Sequence, residues 1–255
     1  MRFEKWQALG NDYLIVTDPV DAETVRALCD RHAGVGADGV LLLERADEPG
    51  FVAALRIFNP DGSEAELSGN GVRLAVMYLH RRGWTDQRQF SVRTIAGEIR
   101  PTILDERTCR VDMGRASVGE EVEVGGFRGQ EVTIGNPQFS VRVGSAAELE
   151  ALDLAAIGPP IEHDARFPNR TNVSFWTDTG PGAIRARIFE RGVGETQSSG
   201  TGAIGAAVAF VLRGGDSPVT VVLDGGELTA DVGEDFHVDL TGWAEPVFGG
   251  EWPIA

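Results

Sequence analysis

The sequence predicts an α+β protein of two pseudo-symmetric domains, each a curled, mostly antiparallel, barrel-like sheet around a central helix. Three observations carry this. RIFNPDGSEAELSGNG (Arg56 to Gly71) aligns without gaps on RIFERGVGETQSSGTG (Arg187 to Gly202), at a constant offset of 131. Each copy runs into an almost wholly apolar helical pattern, VRLAVMYL in the first and AIGAAVAFVL in the second, and a helix apolar all round must be surrounded. Alternating strand patterns such as FSVRTI and VTVVLD supply the surrounding sheet.

The elements follow in chain order. DAETVRALCDRHAG (Asp21 to Gly34) reads as a peripheral helix with an Asp start and a Gly stop. The first repeat then gives strand, glycine-rich turn and buried helix. FSVRTIAGEIRPTI (Phe90 to Ile103) reads as a hairpin and resembles VTVVLDGGELTADV (Val219 to Val232) at an offset of 129; RVDMG (Arg110 to Gly114) likewise resembles HVDLTG (His237 to Gly242). The strand pattern breaks in RASVGEEVEVGG, near Gly114 to Glu120, which predicts domains 1–116 and 117–255, with the last residues free to pack back on the first. SAAELEALDLAAIG (Ser145 to Gly158) reads as a second peripheral helix opened by a capping box, Ser145 and Glu148.

Composition narrows the class. The 255 residues carry a formal net charge of −16, which argues against nucleic acid or an anionic membrane as partner. No apolar run has membrane-spanning length and no signal-peptide pattern opens the chain, so a cytoplasmic protein is the expectation. Two cysteines, Cys29 and Cys109, make no disulfide framework and fit a reducing compartment. Lys5 is the single lysine, which makes Schiff-base and pyridoxal-phosphate chemistry improbable.

The repeat also predicts chemistry. Each copy sets a serine and two glycines at a helix N-terminus, Ser68-Gly69-Asn70-Gly71 and Ser199-Gly200-Thr201-Gly202. Free amides and the helix dipole there favour an anion, and glycine lets a ligand approach the backbone. If both helix starts face one cleft, a carboxylate is held from both sides, with Ser68 and Ser199 flanking the adjacent carbon. That arrangement suits a two-base inversion, one group removing a proton and the other returning one on the far face.

At this point the chain resembles the diaminopimelate epimerase family along nearly its whole length. The matching pieces are KWQALGNDYLIVTD, RHAGVGADGVLLLE, IFNPDGSEAELSGNGVR, TIAGEI, VDMG, GNPQF, FPNRTNVSF, ERGVGETQSSGTGA and TGWAEPVFGGEW. The resemblance implies epimerisation of LL- and meso-2,6-diaminopimelate without cofactor or metal, in lysine and peptidoglycan precursor biosynthesis. It implies that Asn11, Asn59, Asn136 and Asn172 hold the substrate's polar groups, and that Glu190 and Arg191 bind the distal amino-acid head. Gly69 and Asn70, with Gly200 and Thr201, would offer the helix starts to the α-carboxylate. Ser68 and Ser199 occupy the positions of the two catalytic bases, and Glu190 is the titratable group that survives beside them. The assembly state stays open, with a homodimer among the options.

The departures are chemical. The family carries cysteine at both base positions and histidine where this chain has Gln138. A thiol ionises near ~8.5 and a helix start lowers that further, whereas a serine hydroxyl needs a separate base. The serines fit either substitution to hold substrate without turnover or natural divergence, and Gln138 favours divergence, since a Cys-to-Ser double exchange would not require it. Gly39 sits where some members have a substrate-contacting glutamine. Two further readings stand: a related-fold isomerase or dehydratase on another small amino acid, and a non-catalytic amino-acid binder.

Other signals carry less. GVGADG (Gly34 to Gly39) matches a dinucleotide motif but follows a helix and precedes a strand, the reverse of that fingerprint. His32, His80, His163 and His237 show no metal-ligand spacing, though the resemblance places His163 near the rim of the site. Cys29 and Cys109 read as core packing, and Trp84, Trp176, Trp243 and Trp252 as surface and edge residues. Asn59 and Glu190 could be turn formers, but their matched place before the glycine turns favours function.

Overall fold

The computed structural model describes residues 1–66 and 68–253. In chain order the elements are β1 (Arg2–Ala8), β2 (Asn11–Val16), α1 (Ala22–Cys29), β3 (Val40–Arg45), β4 (Phe51–Phe58), β5 (Glu64–Ala65), α2 (Gly69–Arg81), β6 (Ser91–Thr94), β7 (Gly97–Ile99), β8 (Pro101–Ile103) and β9 (Thr108–Arg115). They continue with β10 (Ser117–Val124), β11 (Phe127–Ile134), β12 (Asn136–Arg142), α3 (Ala146–Ala151), α4 (Leu154–Glu162), β13 (Asn172–Gly180), β14 (Ala183–Glu190), β15 (Gly194–Thr196), α5 (Gly200–Leu212), β16 (Val219–Leu223), β17 (Gly226–Val232), β18 (His237–Trp243) and β19 (Glu245–Glu251). Two units result, 1–112 with 242–255, and 113–241.

In the first unit the strand order is β19-β1-β2-β3-β4-β6-β7, with β5 paired to β4. In the second it is β10-β11-β12-β13-β14-β16-β17-β18, with β15 on β14. Both are mostly antiparallel, and their parallel pairs fall in matching places: β2 with β3 and β4 with β6, then β12 with β13 and β14 with β16. The duplication therefore extends further than the sequence repeat. β2 opens on Gly10-Asn11 and β12 on Gly135-Asn136, an offset of 125, which pairs Tyr13 with Gln138.

The two central helices are buried for the reason their patterns give. α5 is buried from Gly200 through Phe210, its Gly and Ala residues allowing strands to close round it. α2 is buried from Gly69 through Met77, and this run includes the charged Arg73. Apolar clusters flank each sheet: Phe3, Leu14, Val25, Leu28, Val40 and Leu42 in the first unit, and Phe139, Leu149, Leu154, Ile161, Phe175 and Phe189 in the second.

Several local expectations are corrected. RASVGEEVEVGG does not break the strand pattern: β9 ends at Arg115 and β10 begins at Ser117. Its glutamates suit an edge strand, where charge discourages pairing with another chain. The segment from Ser145 is two helices, because Asp153 caps a new one by accepting from Ala156 N at 3.2 Å. Ser145 does cap α3, accepting from Glu148 N at 3.1 Å, but the reciprocal arm of Glu148 takes Gly144 N at 2.8 Å. α1 stops at Cys29 rather than near Gly34, where Asp30 turns the chain by accepting from His32 N and Ala33 N. Trp176 is not at an edge; it is 1% exposed, donates Nε1 to Ser140 Oγ at 3.0 Å, and meets Phe210 of α5 edge-on.

Candidate active site

Both repeated serines cap their helices in the same way. Ser68 has extended backbone (φ −136°, ψ 119°) and its Oγ accepts from Gly71 N at 3.1 Å; Ser199 (φ −140°, ψ 123°) accepts from Gly202 N at 3.2 Å. Neither helix has an acidic residue in its first turn, so no side-chain carboxylate from the helix itself occupies the positive end of the dipole. Ser199 is 2% exposed and Ser68 is half-buried.

In the first unit the structure joins Asn11, Asn70 and Ser68 to a wider network. Asn70 Nδ2 donates to Asn11 Oδ1 at 3.1 Å, and Asn11 Nδ2 donates to Asp38 Oδ2 at 2.8 Å. Beneath them Arg73, fully buried, donates to Gly69 O at 3.2 Å and to Asn70 Oδ1 at 2.5 Å. Burial lowers its pKa to about 10, so it stays cationic at neutral pH and adds positive potential under the helix start. The Tyr13 hydroxyl lies 3.2 Å from Ser68 Oγ. Asn59 stands apart: its Nδ2 donates to Ser63 Oγ at 3.0 Å within its own turn.

In the second unit Asn172, 4% exposed, accepts Arg191 N at 2.7 Å, and Arg191 Nη1 donates to Asn169 O at 2.8 Å. The buried Glu162 pins the same loop by accepting Gly192 N at 2.9 Å, while Arg170 neutralises it at 3.2 Å. Glu190 ends β14 half-buried, immediately before that loop. Asn136 accepts from Gln138 Nε2 at 2.6 Å, and Gln138, 1% exposed, leaves its Oε1 without a hydrogen-bond partner among the described residues. Gly200 and Thr201 open α5 beside Ser199, both buried. His163 is exposed, with Nδ1 3.0 Å from Pro159 O.

Sequence reasoning missed Arg73, Glu162 and Tyr13. Arg73 was the one charge in the apolar run VRLAVMYL, which is a signal; Glu162 and Tyr13 carried none without their partners. Gly39 has a steric role: a Cβ there would lie 2.4 Å from Phe58 O and 2.5 Å from Tyr13 Cε1. Lys5 is held in an ion pair 2.6 Å from Asp12, which also takes Arg31 at 2.9 Å. The thiols lie away from both helix starts in sequence and are buried. Burial, with the charges of Asp12 and Asp38 adding to it, raises Cys29 to about 11, and burial raises Cys109 to about 12, so both stay protonated at neutral pH.

These paired units, each with a serine-capped helix start, have the fold of proteins described as epimerases and racemases. Solved structures share the fold: a predicted epimerase of Pseudomonas aeruginosa (TM-score 0.76, 17% identity, 100% of this chain and 99% of that one) and a probable proline racemase of Agrobacterium radiobacter (TM-score 0.72, 18% identity, 100% and 93%). The family model for diaminopimelate epimerase matches residues 3–119 and 131–246, and the chain belongs to that family. It is 41% identical to the diaminopimelate epimerases of Pelotomaculum thermopropionicum and of Desulforudis audaxviator, over 99% of both chains in each case. Among the described residues no helix is long and apolar enough to cross a membrane.

Proposed function

We propose that this enzyme interconverts LL- and meso-2,6-diaminopimelate, a step toward lysine and peptidoglycan precursors, by a two-base mechanism with one group from each repeat. The observation that carries the reading is the pair of serine-capped helix starts, alike in backbone geometry and free of first-turn acids. The α-carboxylate takes the amides around Gly69–Asn70 and Gly200–Thr201, where free N–H groups and the dipole favour an anion. Asn11, Asn59, Asn136 and Asn172 fix the substrate's polar groups. Glu190 and Arg191 take the distal ammonium and carboxylate. Ser68 and Ser199 stand beside the α-carbon, where the family's thiols act.

A serine hydroxyl is a far weaker acid than a thiol, so turnover by this chain is low. The test is Ser68→Cys/Ser199→Cys. We expect that variant to epimerise diaminopimelate ~10²- to 10⁴-fold faster than the unaltered chain, the usual span of a positioned acid or base. Diaminopimelate bound by every variant with turnover in none would instead support a non-catalytic amino-acid binder, which the two hydroxyls also suit. Turnover of another small amino acid alone would move the substrate assignment.

A further inference from the structure

We propose that Tyr13 is a positioning residue that turns Ser68 into one end of a proton relay, so that proton exchange survives on one face of the substrate without a thiol. This rests on the reading of Ser68 given above. The Tyr13 hydroxyl is 3.2 Å from Ser68 Oγ, and Tyr13 is 7% exposed. Ser68 Oγ also receives Gly71 N–H at 3.1 Å, so the oxygen has a fixed donor on one side and a phenol on the other. A phenol ionises near ~10 in ordinary peptides, far below an aliphatic hydroxyl, and is the better seat for the charge.

The seat of the ring is specific. Tyr13 stands in β2, and its ring occupies space that any side chain at position 39 would take. The arrangement is not a general product of the duplicated fold. The matching position in the second unit is Gln138, which bonds Asn136 at 2.6 Å and has no proton equilibrium of use near neutrality. The described hydrogen-bond partner of Ser199 Oγ is the amide of Gly202.

The step starts from the phenolate, formed when Tyr13 gives its proton to solvent hydroxide, which leaves as water. The α-proton passes to Ser68 Oγ as the Ser68 hydroxyl proton passes to the Tyr13 phenolate oxygen. The electron pair of the C–H bond stays on the α-carbon, delocalised toward the carboxylate. The Ser68 and Tyr13 hydroxyl protons exchange with solvent before the reverse transfer, which returns a solvent-derived proton to the same face, so the visible outcome is exchange with retention.

The experiment is deuterium uptake at the α-carbon of LL- and meso-diaminopimelate in heavy water. It uses the unaltered chain, Tyr13→Phe, Ser68→Cys and Tyr13→Phe/Ser68→Cys, with thermal melting to confirm that each is folded. Tyr13→Phe is expected to lower uptake at least ~10-fold, in kcat rather than KM, when residue 68 is serine, and less than ~3-fold when it is cysteine, whose thiol needs no relay. Equal losses in the two backgrounds, a loss carried by KM, or no measurable uptake by the unaltered chain each overturn the relay. Failure of the doubly cysteine-restored protein to act on diaminopimelate overturns the substrate reading instead, so the two failures are distinguishable.

Discussion

The starts of α2 and α5 have one backbone design and two chemical furnishings. Both are capped by serine, both open with glycine, and both lie inside a sheet of matching strand order. Around α2, however, stand a buried cation, a phenol and a linked pair of asparagines. At the same places around α5 the chain has Ile204 in place of Arg73, Gln138 in place of Tyr13 and Thr201 in place of Asn70. Duplication preserves the capped helix start because the backbone makes it, and any sequence that folds this way keeps it. Proton handling depends on side chains, and there the halves have separated.

The largest test of that contrast is a thiol placed in one half at a time. Ser199→Cys should raise deuterium uptake on its face by ~10²- to 10⁴-fold, and Ser68→Cys by clearly less, because Ser68 already has a phenol to share its proton. Equal gains would erase the asymmetry. Next is the buried cation. Arg73→Met removes the guanidinium that donates to Gly69 O and Asn70 Oδ1 and should cost ~2–3 kcal/mol in urea unfolding, against under ~1.5 kcal/mol for the volume-conserving Ile204→Met.

A smaller effect separates two glycines. Gly39→Ala forces a Cβ within 2.4 Å of the Phe58 carbonyl, which cannot yield, and should cost ~1–2 kcal/mol with Tyr13 displaced. Gly205→Ala brings its Cβ to 3.0 Å from the Gln138 side chain, a softer neighbour, and should cost less by the same measurement. The smallest effect is in acid. Burial raises the pKa of Asp12, but hydrogen bonds from Lys5 and Arg31 outweigh it and hold the carboxyl below its ordinary 3.8. A depressed folded pKa contributes stability fully present above 3.8 and lost as pH falls through the lower folded value. The counterpart in the second unit is Pro137, so melting below that pH should weaken the first unit selectively, and Lys5→Met should flatten the drop.

Much of this was legible in the sequence, because burial and helix starts are local statements. The offset of 131 located both central helices and both caps, and the apolar run of α5 announced its surroundings. The second register, Gly10-Asn11 with Gly135-Asn136, went unseen because only two residues carry it and the strand order is needed to align them. β10 was misjudged since its valines alternate with glutamates on an edge, where burial cannot confirm a strand. The Tyr13–Ser68 contact joins residues 55 apart, and no periodicity encodes a meeting of that kind. Gly39 looked like a missing side chain, and the Tyr13 ring fills the place that side chain would take.

Burial of the two thiols has a consequence for handling as well as for catalysis. With hydroxyls at both helix starts and with Cys29 and Cys109 only 5% and 0% exposed, the folded chain offers oxidants and alkylating reagents no accessible sulfur nucleophile among its cysteines. A site built on paired thiols is open to peroxide or disulfide formation, whereas serine hydroxyls at those positions are not, and mass added by iodoacetamide would report unfolding.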